Sequence, residues 1–114
     1  MASNFPVVLA SVASHLLQEL GIGESSANHA IESLMSGAMA NLAGVSPDAA
    51  LTGPVVRGDP ATVGKHLKAL KPYPSASAVY RALSIAAVEI AGRRGVDQET
   101  LASLRATIAA TARS

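Results

Sequence analysis

The residues able to do chemistry in this chain gather mainly in one stretch, Ser46-Pro47-Asp48-Ala49-Ala50-Leu51-Thr52-Gly53-Pro54-Val55-Val56-Arg57-Gly58-Asp59-Pro60. Three prolines, two glycines, a threonine, an arginine and two aspartates punctuate an otherwise alanine-rich, helical sequence. Functional groups concentrate on loops held by a rigid scaffold, so this connection is the first place to look. Thr52 offers a hydroxyl, Gly53 an unencumbered backbone and Arg57 a forked cation. Asp59-Pro60 starts a helix whose leading N–H groups add positive potential. Together these would contact an anion or a polar ligand. The structural alternative is that Arg57 pairs with Asp48 or Asp59 and the loop merely reverses the chain. Arg57-Gly58-Asp59 also spells an integrin-binding tripeptide, but so short a motif carries little weight. A local account suffices: Asp59 caps the next helix, Gly58 permits the turn, and Arg57 projects.

A second candidate pair, Ser3 and Asn4, precedes Pro6 at the chain start. Both are good helix caps, and proline is tolerated in a first turn. The functional alternative has the helix beginning earlier, with Asn4 pointing from mid-helix into a site. His15, His29 and His66 lie at no i, i+4 spacing to one another and have no carboxylates spaced to complete a metal set. They read as helix-surface or boundary residues. No G-x-S-x-G, P-loop or G-x-G-x-x-G string occurs, so phosphate- and dinucleotide-cradling loops are not expected here.

Helical spacing dictates the elements that position these residues. Phe5, Val8, Leu9, Val12, Leu16 and Leu20 predict a first helix over 5–20, ended by Gly21 and Gly23. Ile31, Leu34, Met35, Ala38 and Leu42 predict a second, from Ser25 or Ser26 to Leu42. Ser46-Pro47 starts a short turn of helix. Asp59-Pro60 starts a third helix, running to Leu70 with Val63, Leu67 and Leu70 inward. Ser75 caps a fourth, reaching Arg93, with Val79, Leu83, Ala86 or Ala87 and Ile90 on one face. That helix is apolar nearly all round, which predicts a central, buried position. Asp97 caps a fifth, with Leu101, Leu104 and Ile108 inward, to about Ala112. The fold class expected is all-α: a single helical domain over 1–114, built as a five-helix bundle.

Composition narrows the function. Hydrophobic residues make up 49% and charged residues 15%, too apolar for disorder and low in charge for a freestanding domain of this size. Some of that apolar surface is expected to face another chain, so helices of a two-fold partner would complete the bundle. Net charge is +1, the basic residues are scattered apart from Lys65, Lys68 and Lys71, and aromatics are scarce; nucleic acid is not the expected partner. No apolar run of spanning length and no leader before the first helix are seen, so no membrane is expected. The chain has no cysteine, which removes thiolate metal sites and cysteine nucleophiles and fits a cytoplasmic location.

Ala2-Ser3-Asn4-Phe5 opening an apolar helix, followed by Leu51-Thr52-Gly53-Pro54-Val55-Val56-Arg57-Gly58-Asp59, resembles the C-terminal helical domain of a group of NAD(P)-dependent oxidoreductases. These are relatives of pyrroline-5-carboxylate reductase and of the 6-phosphogluconate and 3-hydroxyisobutyrate dehydrogenases. The resemblance is read over essentially the whole chain. It implies a C-terminal domain like that of 6-phosphogluconate dehydrogenase, pairing with its twin, beside an N-terminal Rossmann-like domain that this chain lacks. It places the substrate site between the two domains, with Ser3, Asn4, Thr52, Gly53 and Arg57 on the substrate side. In the hydroxyacid dehydrogenase relatives a lysine precedes the asparagine by four residues, a position that falls before Met1. Pro6 departs from the long apolar residue usual there. NAD(P) is implied for the full-length relatives, and no catalytic, cofactor or metal residue for this chain alone. A freestanding helical assembly module without ligand is the alternative, and there Ser3, Asn4, Thr52 and Arg57 would not converge.

Overall fold

The structure is a computed structural model and describes residues 1–111. It is all-α, with no strand among the described residues. The helices are α1 (Phe5–Glu19), α2 (Glu24–Ala40), α3 (Pro47–Ala50), α4 (Pro60–Ala69), α5 (Pro74–Arg93) and α6 (Gln98–Thr111). The five helices expected are present, and the short turn after Ser46 makes the sixth. They group into two compact units, Met1–Val45 and a second beginning at Ser46.

The first unit is a helical hairpin. Gly21 takes φ +90 just after α1. Gly21 N–H then donates to Gln18 O and Ile22 N–H to Leu17 O, the paired bonds that close a helix on a left-handed glycine. Ser14, Ala27 and Ile31 are its buried side chains. The stripe expected on α1 is inward only in part: Leu9, Val12 and Leu16 are half-buried, while Phe5, Val8 and Leu20 keep 56%, 50% and 76% of their surface exposed. On α2, Leu34 is likewise 70% exposed while Ile31 is buried.

The second unit has a true core. Val63 and Leu67 of α4, Val88 and Ala91 of α5, and Leu101, Leu104 and Ile108 of α6 meet in one cluster. The inward residues expected on α4 and α6 belong to this cluster except Leu70, which is half-buried and outside it. On α5 the expectation holds only in part, with Val79, Ala87 and Ile90 half-buried. Its buried side chains are Ala76, Ser84, Val88 and Ala91, whereas Leu83 and Ile85 are 50% and 43% exposed. Small residues beside Val88 let α5 approach its neighbours closely, Leu83 and Ile85 are turned outward, and the helix is not buried all round. Nor does Ser75 cap it: Tyr73 holds the cap position and Pro74 the first turn, where its missing N–H costs nothing. Asp97 does cap α6, accepting from Thr100 N–H at 3.4 Å. The expected end of that helix at Ala112 lies outside the described residues.

Candidate functional site

The connection from Ser46 to Pro60 is built by caps at both ends and one anchor in the middle. Ser46 Oγ accepts from Ala49 N–H at 3.2 Å, which starts α3. Asp59 ends the loop and starts α4, its two carboxyl oxygens accepting from Thr62 N–H at 3.1 Å and Thr62 Oγ1 at 2.6 Å. Between them Val55 is sunk into the core of the second unit. Asp59 N–H donates to Pro54 O at 2.9 Å and Gly58 N–H to Val55 O at 3.0 Å, which folds the segment back on itself. Gly58 is required twice over. Its φ is +66, and a Cβ there would stand 3.1 Å from Thr100 Cγ2 on α6.

The far side of the loop is held by the end of α5. Arg93 donates from Nε and Nη2 to the two carboxyl oxygens of Asp48, at 2.6 and 3.1 Å. Arg94 Nη1 donates to the carbonyls of Asp48 and Leu51 at 3.3 and 2.6 Å. The Arg93 hydrogen bonds hold the Asp48 carboxyl below its usual range. Nothing in the local sequence signals this clamp, since its two halves are 45 residues apart.

Arg57 is thereby left over. Asp48 is taken by Arg93 and Asp59 by Thr62, so neither aspartate forms the ion pair that a purely structural loop would use. Among the described residues, the Arg57 side chain makes no hydrogen bond or ion pair and is exposed, as is Thr52, while its backbone N–H donates to Gly53 O at 3.3 Å. Its positive charge is felt at Asp59, where it adds to the stronger effect of the Thr62 hydrogen bonds in lowering the carboxyl's pKa below the ordinary 3.8.

That depression sets a pH dependence. A carboxyl lowered in the folded state stabilises the fold fully above its unfolded value. The contribution is lost as pH falls through the folded value, so the window opens just below 3.8. Asp59→Asn is expected to narrow the gap between the melting temperatures at neutral pH and in acid, measured by circular dichroism. An unchanged gap would show that the charge of Asp59 contributes nothing.

Ser3 and Asn4 lie in the first unit and Thr52, Gly53 and Arg57 in the second, so the two sets are described separately. Asn4 does not cap α1. Its backbone is right-handed helical, its side chain accepts no cap bond, and Phe5 N–H donates to Met1 O at 3.0 Å, the i to i−4 spacing of a helix. Both side chains are exposed.

The hairpin also holds a polar group that the residue patterns did not single out. Ser14 Oγ donates to Asn28 Oδ1 and accepts from Gln18 Nε2 at 3.2 Å. This network borders an open groove of about 620 Å3 between α1 and α2, with Val7, Ile31 and Met39 on its walls. The only hint in the sequence is Ser14 and Gln18 at i, i+4 on an apolar helix. The histidines behave as surface residues: His15 Nδ1 lies 2.8 Å from Ser11 O and His66 Nδ1 2.8 Å from the Tyr80 hydroxyl. Burial pushes that hydroxyl above its usual pKa, a hydrogen bond with Ser84 opposing. No cluster of His, Cys, Asp or Glu able to hold a metal ion occurs among the described residues. No helix among them is long and apolar enough to cross a membrane.

The family model described as a domain of unknown function, DUF2520, matches residues 1–87. The chain belongs to this family. The DUF2520 segment contains Ser3, Asn4, Thr52, Gly53 and Arg57 but not the clamp residues Arg93 and Arg94, and it ends within α5, so the family match is shorter than the whole-chain resemblance and leaves α6 outside it. No curated protein and no solved structure matches the chain.

Proposed function

We propose that this chain is the helical dimerisation and substrate-side domain of an NAD(P)-dependent oxidoreductase, not catalytically competent alone. The observation that supports this most is the state of Arg57. It is exposed and unpaired on a loop fixed at both ends, with its neighbouring aspartates committed elsewhere. An arginine presented in this way suits a carboxylate or phosphate, with the Thr52 hydroxyl and Gly53 backbone beside it. Ser3 and Asn4 would lie on the same substrate side. The exposed aliphatics of α1 and α5 suit a two-fold partner. The dinucleotide would be held by a Rossmann-like domain outside this chain, which would supply the hydride chemistry, in a cytoplasmic setting.

The chain alone is expected to leave the fluorescence of NADH and NADPH unchanged on titration. Saturable binding of either by this chain would overturn the assignment of the dinucleotide to another domain. The alternative, a freestanding assembly module, draws on the same exposed aliphatics, which need no ligand. It predicts no anion binding that depends on Arg57.

A further inference from the structure

Resting on the anion-contacting reading of Arg57 above, we infer that Arg94 is a positioning residue for that site, acting through the Thr52-Gly53 backbone rather than on the ligand. Two anchors hold this backbone. Downstream, Val55 is sunk into the core and Arg57 N–H donates to Gly53 O at 3.3 Å. Upstream stands α3, four residues long with no buried side chain, too short to hold itself in place. The upstream anchor is Arg94. Its Nη1 donates to Asp48 O at 3.3 Å and to Leu51 O at 2.6 Å, which ties down the end of α3. Arg94 itself has a fixed base. It is the C-cap of α5, and its N–H donates to Ile90 O at 3.0 Å. Two residues on, Val96 N–H donates to Ala91 O at 3.1 Å and the Val96 side chain packs on the core.

Peptide planarity carries the effect one residue further. Leu51 C=O and Thr52 N–H belong to one trans peptide unit and point in opposite directions. A donor held on Leu51 O therefore aims the Thr52 N–H away from Arg94, and that N–H makes no hydrogen bond among the described residues. The next residue, Gly53, takes φ +104, and no atom lies within 4 Å of where its Cβ would stand. Glycine resists rotation least of all residues. With Leu51 O released, Thr52 and Gly53 are free to swing while Val55 stays in the core. Arg93 does a different job. Its ion pair with Asp48 is exposed and stabilises little, but it denies Arg57 an aspartate. Arg94 bonds main chain, so it sets the geometry of the loop. It lies beyond residue 87, where the family match ends, so the site draws on a residue outside that segment.

Three variants of the whole chain provide the test: Arg94→Met, which keeps the stem and loses the donors, Arg94→Lys and Arg57→Ala. Nη1 alone makes both bonds, so a lysine ammonium, with three donors on one nitrogen, can replace it. Inorganic phosphate is the probe, and NMR order parameters of Thr52 and Gly53 are read before it is added. Arg94→Met should weaken phosphate binding about tenfold, the worth of one well-placed hydrogen bond. It should lower both order parameters and leave the helicity and cooperative unfolding of the chain intact. Arg94→Lys should bind within about threefold of the parent. Parent-like affinity in Arg94→Met, with Arg57→Ala still weak, would overturn the positioning role and leave the anion site standing. Weak binding with unchanged order parameters would also overturn it, by assigning the effect to the charge of Arg94 alone. So would a lysine variant that binds no better than the methionine one, or an Arg94→Met chain that does not fold, which would make Arg94 part of the fold rather than of the site. A parent with no affinity for phosphate would sink the anion-contacting reading and this role with it.

Discussion

Replacing Leu104 with alanine is expected to lower the stability of the second unit by about 3–4 kcal/mol, the range for a large aliphatic removed from a tight core. Leu104 is fully buried on α6, in the cluster that joins α6 to α4 and α5. The loss combines the transfer energy of the missing methyl groups with a cavity that helices pinned on two sides cannot close. The effect should reach the candidate site, because Val55, the anchor of the 52–59 loop, belongs to the same cluster. Urea unfolding followed by circular dichroism measures it. A loss below about 1 kcal/mol would mean the core repacks, and the claim of a rigid scaffold under the loop would fail.

Arg57→Ala should act in the opposite way. The side chain is exposed and makes no hydrogen bond or ion pair, so stability should stay within about 0.5 kcal/mol of the parent, as for a surface change. Binding of an anion should suffer instead. A charge-assisted hydrogen bond contributes about 1.5–3 kcal/mol, which is roughly a 10- to 100-fold loss in affinity. Inorganic phosphate titrated against the parent and the variant, read at the amides of Thr52, Gly53 and Gly58, gives the comparison. If the change unfolds the domain, Arg57 is structural and the site claim fails. Equal phosphate affinity in both proteins would remove Arg57 from any site.

These two predictions mark the boundary between what was legible in the sequence and what was not. Helix existence was legible throughout, because proline and cap residues announce starts and glycines announce stops. Inward faces were legible only where the cover is supplied locally. Val63 and Leu67 on α4 and Leu101, Leu104 and Ile108 on α6 are inward as their spacing implies, since α4 and α6 pack on each other. On α1 and α5 the same reasoning picked aliphatic stripes that are half-buried or exposed, and it did not point to Ser14, Ala76 and Ser84, which are buried. Periodicity shows that a face wants cover; it does not show which molecule provides it. At the loop, the caps by Ser46 and Asp59 were readable from neighbouring residues. The freedom of Arg57 was not, because it depends on Arg93 claiming Asp48 from far along the chain.

The exposed aliphatics of α1 and α5 make association with a second copy the central physical claim. Light scattering after size exclusion measures it most directly. The account predicts a stable species at twice the 11.5 kDa chain mass. A clean 11.5 kDa monomer at high protein concentration would contradict it and leave the outward faces of α1 and α5 needing a different partner.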